Sequence, residues 1–192
     1  MINKYPVRKY PEVGVCGLDC GLCPRLHSDG KSRCTGCCGE GFWEIHPPCS
    51  FITCAVKQKG LETCAQCPES QDCLKYVQLM EAAESHDSFI SYKSVLGNNI
   101  YIRTHGIEKF IVLEAEKQKV LLFLLDNYDD GRSKLFFCTA CQLIPLPKLK
   151  EALETIKSKI PAGADKKKKA KVTRAMLNKT ADSLKIELKL RK

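Results

Sequence analysis

The stretch CGLDCGLC, from Cys16 to Cys23, carries three cysteines in eight residues, and cysteine thiolates are strong ligands for metal ions. Two thiolates separated by two residues bind the same tetrahedral ion when the turn between them directs backbone N–H groups at the sulfurs. Cys20 and Cys23 have this spacing, which recurs after a ten-residue gap at Cys34 and Cys37. Four cysteines in this pattern are typical of a zinc knuckle, a structural site.

The remaining cysteines supply enough thiols for a second ion. Eleven of the thirteen cysteines lie between Cys16 and Cys73, which predicts two zinc ions rather than one. A second set of four ligands is expected in this segment. Three further cysteines, at positions 16, 38 and 73, could replace members of that set, so the sequence does not determine which cysteines share an ion. The second set is Cys49, Cys54, Cys64 and Cys67, and the candidate metal ligands together are Cys16, Cys20, Cys23, Cys34, Cys37, Cys49, Cys54, Cys64, Cys67 and Cys73.

An iron–sulfur cluster is the alternative to zinc. Cys16-x3-Cys20-x2-Cys23 has the spacing with which radical S-adenosylmethionine enzymes hold a [4Fe–4S] cluster, and Pro24 and Pro68 directly follow cysteines, as in ferredoxins. Radical enzymes need a partial or full α/β barrel, for which 192 residues without strand–helix alternation after Cys23 are too few. A [4Fe–4S] protein that transfers electrons or carries a cluster remains the open alternative.

The composition favours metal ligands over disulfides. The chain is 44% hydrophobic and 28% charged, as expected for a globular protein, and it has neither a signal-peptide pattern nor a membrane-length apolar run. We therefore expect a cytoplasmic protein without membrane contact. Structural disulfides are rare in that reducing compartment, so a dense cysteine cluster indicates a metal site.

Two kinds of structure must position these thiols. Residues 13–74 are rich in Gly, Pro and polar connectors that bury little apolar surface. They predict a small, irregular, metal-stapled cysteine-rich domain with knuckles and little regular structure. Residues 75–160 carry apolar side chains at helical spacing and predict a mainly α-helical domain.

Three helices are expected in particular. The first places Leu74, Val77 and Met80 on one apolar face, the second runs from Ile107 to about Asn127, and the third covers PKLKEALETIKSKI. Between the last two, LFFCTACQLI contains a further CxxC. A redox pair or a distant metal ligand is one interpretation of Cys138 and Cys141, and the favoured one is a buried helix in which cysteine is a small hydrophobic residue.

Several aromatic and imidazole side chains lie within the cysteine-rich segment. His27 and His46 are expected to be surface loop residues rather than ligands, because thiols are abundant around them. Phe42 and Trp43 are expected to cover the small core beneath them.

The positive charge is concentrated at the end of the sequence. Residues 148–192 hold fifteen Lys and Arg against five Asp and Glu, whereas the other 147 residues are close to neutral. Residues 161–192 are predicted to be a basic, flexible tail or linker. Such a tail binds phosphates without sequence preference, so nucleic acid is a candidate partner. The residues that would contact it are Lys166, Lys167, Lys168, Lys169 and Lys171.

The motifs CGLDCGLCP, CTGC, CSFITCAVKQKGLETCAQCPESQDC, GIEKF and LLDNYDDGRSKLFFCTACQLIPLPKLKEAL occur in this order. In this respect residues 13 to 157 resemble the uncharacterised cysteine-rich family called domain of unknown function 3795. The resemblance implies a small metal-binding module with a helical extension, and Cys38 is additional to its cysteine pattern. That family has no established activity, so the resemblance implies no catalytic residue.

These observations favour a binding protein over an enzyme. Catalytic carboxylate pairs at a recognisable spacing, a Walker-type glycine loop and a nucleophilic serine elbow are missing from the sequence, although enzymatic activity is not excluded. The first hypothesis is a zinc-binding adaptor or accessory protein with an unidentified protein partner. A [4Fe–4S] protein and a nucleic-acid-associated protein are the alternatives.

Overall fold

The structure is a computed structural model that describes residues 6–161 and 163–191. This part of the chain contains seven α-helices, one π-helix and three 3₁₀ turns, and no β-strand. The predicted order of a cysteine-rich region with little regular structure followed by a mainly helical region is confirmed. Among the helices of the described residues, none has the combination of length and hydropathy that a membrane span requires.

The cysteine-rich region folds around a small core of its own. Phe42 and Ile52 are buried there together with Val15, and the thiols of Cys34 and Cys38 contribute to the same core. Phe42 therefore covers this core, as the sequence predicts. The short elements around it are the 3₁₀ turns Cys20–Leu22, Gly30–Ser32 and Cys64–Gln66, helix α1 (Phe42–Ile45) and the π-helix Ile52–Gln58.

Six helices make up the rest of the described chain. The long helix expected from Ile107 is present and ends at Tyr128. Gly106, with φ of 88°, lets the chain turn between this helix and the one before it, because positive φ is accessible to glycine. The helices are α2 (Leu74–Ala83), α3 (Val95–His105), α4 (Ile107–Tyr128), α5 (Lys134–Leu143), α6 (Leu146–Lys159) and α7 (Lys166–Ser183).

The main hydrophobic core lies between α4, α5, α6 and α7. Leu121, Phe137 and Ile156 are fully buried in it, and Leu22 from the cysteine-rich region is buried in the same core. A smaller cluster joins Val13 and other residues of the cysteine-rich region to α3 and α4. The two regions are thus packed together through shared apolar contacts.

One predicted apolar face is not buried. Helix α2 forms where it is expected, but Leu74 is 76% exposed and Val77 is 42% exposed. The helix is held instead through Ala83, which is buried, and through the hydroxyl of Tyr76, which accepts a hydrogen bond from Asn99 on α3. Helical spacing identified the helix correctly and its buried side wrongly.

The predicted flexible basic tail is largely helix α7. Ala170, Thr173, Leu177 and Ala181 recur every three or four residues and are buried, and the last two belong to the main core. The Asp165 carboxylate caps the helix by accepting the N–H of Lys168 at 2.9 Å. The lysines at its start lie outside this buried stripe. The prediction of a flexible tail was wrong. The run of lysines suggested a solvated segment, but a stripe of mostly small residues on the same helix packs against the protein.

Candidate metal centre

Both predicted CxxC pairs and Cys16 come together in one region. Burial raises the pKa of Cys20, and the nearby thiols of Cys37, Cys16, Cys23 and Cys34 raise it further. These five residues are called the loop thiol set. None of the thirteen cysteines forms a disulfide.

The turns of the loop thiol set direct backbone N–H groups at sulfur. The Gly36 N–H donates to Cys34 Sγ with an N···S distance of 3.4 Å. Burial raises the pKa of Cys16 to about 12, and the N–H of Leu18, two residues further on, acts in the opposite direction by donating to the sulfur. Burial likewise raises the pKa of Cys23 against the same effect from the Arg25 N–H. This i to i+2 arrangement is the one that stabilises a thiolate.

Gly36 shows why this turn requires glycine. Its φ is 86°, and a Cβ at this position would overlap the backbone carbonyl of Pro11. The same carbonyl accepts the N–H of Cys37 at 2.6 Å. The second CxxC turn is therefore held against the start of the cysteine-rich region by the backbone itself.

The first turn is held by two adjacent asparagines of α3. Asn99 Nδ2 donates to the carbonyl of Cys16 at 2.8 Å, and Asn98 Nδ2 donates to the carbonyl of Gly17 at 2.9 Å. These residues are about eighty positions away in sequence, and nothing in the motif CGLDCGLC identifies them. The only sequence signal is the pair of asparagines inside a helix, where asparagine is unfavourable without a specific partner.

Asp19, inside the same motif, anchors the loop to the helical region. It is fully buried, and its carboxylate accepts hydrogen bonds from Asn98 Nδ2 at 2.7 Å, from Gln142 Nε2 at 2.8 Å and from the hydroxyl of Ser94. A buried carboxylate is costly unless several donors surround it, and here three side chains do so. The backbone that carries Cys16 and Cys20 is consequently preorganised by α3 and α5.

Arg8 places a buried positive charge beside the loop thiol set. Its guanidinium Nη1 donates to the carbonyls of Val13 at 2.7 Å and Cys37 at 3.1 Å, while Nε lies 3.4 Å from the Glu62 carboxylate. Among the described residues, its Nη2 has no hydrogen-bond partner. A hydrogen bond from Cys38 lowers the pKa of Cys37 to about 7 against the effect of burial, and Arg8 lowers it further.

A second group of four thiols surrounds a small cavity. The cavity has a volume of about 50 Å³, and Cys54, Cys64, Cys67 and Cys73 line it. These four residues are called the cavity thiol set. Burial raises the pKa of Cys64 to about 12, and the thiols of Cys73, Cys54 and Cys67 raise it further. Cys73 thus lies with three of the predicted second set.

Each member of the cavity thiol set is held by a short element. Cys54 is on the π-helix, and Cys64 begins the 3₁₀ turn that Gln66 stabilises by accepting the N–H of Thr63 at 3.0 Å. Cys73 is the residue before α2, at the positive end of the helix dipole. Lys59 Nζ donates to Cys67 Sγ at 3.3 Å and pairs with a carboxylate of the same loop.

Cys49, the remaining member of the predicted second set, lies between the two thiol sets. Its thiol is close enough to Cys16 and Cys64 to raise the pKa of each, in addition to the larger effect of burial. It also raises the pKa of Cys38, where the hydrogen bond to Cys37 has the largest effect. Cys49 is therefore near both sets and is assigned to neither.

The two histidines of this region are less exposed than expected for surface loop residues. His46 is half-buried, with Nε2 3.3 Å from Cys34 Sγ, and its ring stacks on Phe42. His27 is also half-buried, and its Nε2 lies 2.8 Å from the carbonyl oxygen of Gly21. Of the two, His46 is the one in contact with a thiol of the loop thiol set.

Cys138 and Cys141 lie inside α5 rather than in a loop. They are 1% and 0% exposed and contribute to the main core, which agrees with the favoured sequence interpretation. Burial raises the pKa of Cys138 to about 12, and the Cys23 thiol raises it further. These two residues are small apolar side chains of the main core, and Cys138 lies near Cys23 of the loop thiol set.

In residues 6–161 and 163–191, no three His, Cys, Asp or Glu side chains are already arranged as a metal site. Comparison with protein-family models gave no match. Comparisons with curated proteins and with solved structures gave no significant match either. The resemblance to domain of unknown function 3795 therefore stays a prediction based on the order of the motifs.

Proposed function

We propose that this chain is a metal-binding protein with two centres, one on the loop thiol set and one on the cavity thiol set. Zinc is the metal proposed first, and the protein acts as an adaptor or accessory protein for a partner not yet identified. The metal supplies folding free energy, about 10 kcal/mol per site in small zinc domains, and the thiols carry out no reaction.

The convergence of four thiols on one cavity carries this proposal. Cys54, Cys64, Cys67 and Cys73 come from a π-helix, a 3₁₀ turn and a helix start, so three separate local structures direct cysteines to one place. A cavity of about 50 Å³ has room for one or two water-sized groups, and hence for a single ion. Four thiolates around one ion is the closed geometry of structural zinc.

The electrostatics around the cavity thiol set support a bound cation with four thiolates. Such a centre has a net charge of −2, which must be offset when it is partly buried. Lys59 and Lys75 line the same cavity, and Lys59 already donates to Cys67. The start of α2 adds a partial positive charge at Cys73.

Metal analysis of pairs of cysteine variants tests the proposal. The unmodified chain, purified without oxygen, is expected to be colourless and to contain about two zinc ions. C64S/C67S removes two ligands of the cavity thiol set, and C20S/C37S removes two of the loop thiol set, so each variant is expected to lose one ion. The control C138A/C141A changes two thiols outside both sets and is expected to keep both ions.

Cobalt substitution gives a second measurement that does not depend on yield. Cobalt in a tetrahedral thiolate site absorbs strongly in the visible range. C64S/C67S and C20S/C37S are each expected to lose about half of that absorbance, and C138A/C141A is expected to keep it. A chain that folds without metal and takes up neither zinc nor cobalt would contradict the proposal. Equal losses in C138A/C141A and in the ligand variants would contradict the assignment of the two sets.

A [4Fe–4S] cluster on the loop thiol set is the second candidate, and the position of Cys16 favours it. A zinc knuckle formed by Cys20, Cys23, Cys34 and Cys37 leaves Cys16 unused, yet its thiol lies near Cys20 and Cys37. A cluster held by cysteines that include Cys16 and Cys20 would use it. Brown protein with stoichiometric iron and acid-labile sulfide, absent from C16S but retained in C64S/C67S, is the outcome expected for this candidate.

A further inference from the structure

The first half of α7 concentrates positive charge on the protein surface. Five of the six residues from Lys166 to Lys171 are lysines, and all except the half-buried Lys169 are exposed. We call these five the α7 lysine patch. Among the described residues, none of the five forms an ion pair.

Most lysines of the neighbouring helix α6, in contrast, form ion pairs. Lys148 and Lys157 each pair with a glutamate three residues away on α6, at 2.7 and 2.8 Å, and Lys150 pairs with Glu116 of α4 at 2.8 Å. The charge of α6 is therefore largely neutralised within the chain. The charge of the α7 lysine patch is not.

This arrangement carries an electrostatic cost in the free protein. Lys167 and Lys171 are four residues apart on one helix, and like charges at this spacing repel. The patch also lies at the helix end where the macrodipole is already positive. The nearest acidic residue in sequence, Asp165, directs its carboxylate to the backbone N–H of Lys168. An external polyanion would remove this cost.

The packing of α7 fixes the patch in space. Ala170 and Thr173 are fully buried within the same turns, so the lysines are held on a helix that is packed against the protein. Lys167, Lys171 and Arg174 are exposed, recur at i, i+4 and i+7, and span about 10 Å along the axis. A row of cations on a fixed helix can contact several phosphates of one strand together.

We propose that the α7 lysine patch binds the sugar–phosphate backbone of double-stranded nucleic acid without sequence preference. Stacking on single-stranded bases needs aromatic side chains, and no Phe, Tyr or Trp occurs after Phe137. A membrane surface needs an apolar face that inserts, and the apolar face of α7 is already buried in the protein. Phosphate contacts by lysine need neither feature.

Fluorescence anisotropy with a labelled 20-base-pair DNA duplex and the corresponding RNA duplex tests this proposal. The full chain is used as purified, because α7 contributes to the main core and cannot be removed cleanly. K167Q/K168Q/K171Q neutralises three exposed lysines of the patch. Its matched control, K31Q/K57Q/K109Q, neutralises three exposed lysines elsewhere.

The patch variant is expected to bind a duplex roughly tenfold or more weakly than the unmodified chain at low salt. The slope of log K against log salt is expected to become less steep by about 2.7, because each of the three substitutions removes one phosphate neutralisation, which contributes about 0.9. The control is expected to keep most of the affinity and the slope. Equal reductions in both variants, no duplex binding, or binding only to vesicles with anionic lipid would overturn the proposal.

Discussion

The replacement Asp87→Asn tests how the last part of the described chain is held. Asp87, in the loop after α2, is buried, and its carboxylate accepts the backbone N–H of Arg191 at 2.7 Å and the guanidinium Nη2 at 2.9 Å. It also accepts the N–H of Tyr92 at 2.7 Å. Burial alone would raise the pKa of Asp87, but the hydrogen bonds from Arg191 and Tyr92 outweigh it and lower the pKa to about 2.

The pKa gives the magnitude of the effect. A value of about 2 in the folded protein, against 3.8 for an ordinary aspartate, corresponds to about 2 kcal/mol of stability at neutral pH. The asparagine variant loses this charge and turns an amide N–H₂ toward the donors of Arg191. We therefore expect Asp87→Asn to lower the free energy of unfolding by about 2 to 3 kcal/mol at pH 7.

Urea unfolding followed by circular dichroism, at several pH values, measures this change. Because the folded pKa is depressed, the stabilisation is present above about pH 4 and disappears as the pH falls toward 2. The difference between the two proteins should shrink over that range, and metal release in acid affects both and cancels. Asp72→Asn, at an exposed position, is the control and should change stability by less than about 0.5 kcal/mol. A small difference at pH 7, or one that does not vary with pH, would contradict this role of Asp87.

Two further predictions concern packing. Leu177→Ala, at a position only 1% exposed, should cost about 3 kcal/mol in the same unfolding assay, whereas a flexible tail would show no change in stability. Gly36→Ala should destabilise the protein by more than Gly131→Ala does and should reduce its metal content. Both glycines have φ near 85°, but a Cβ has open space at Gly131 and meets the Pro11 carbonyl at Gly36. Equal effects of the two replacements would show that the close approach at Gly36 is unimportant.

The features that could be predicted from the sequence are those that depend on the spacing of residues close together along the chain. The CxxC pairs at Cys20 and Cys34 place their thiols on turns, and such turns are determined by a few neighbouring residues. Helix α4 was predicted almost to its ends because its apolar period extends over many turns. Both features depend on residues that are close together in sequence.

The features that were missed depend on distant residues. Arg8 reaches the carbonyl of Cys37, and Asn98 and Asn99 reach the CGLDC turn from about eighty residues away. The flexible tail was predicted from the lysine run, because such runs are usually solvated. In the structure Leu177 and its neighbours on α7 pack into the core. Spacing within a motif contains no information on which helix side chain will support it.

The two asparagines of α3 also provide a spectroscopic view of the metal state. Their side-chain amides donate to the carbonyls of Cys16 and Gly17, so any rearrangement of that turn changes the hydrogen bonds they make. Side-chain amide resonances are separate signals in a nitrogen–proton NMR spectrum. The resonances of Asn98 and Asn99 should therefore shift when the loop thiol set binds or releases a metal, and they report on the cysteine-rich region from within the helical one.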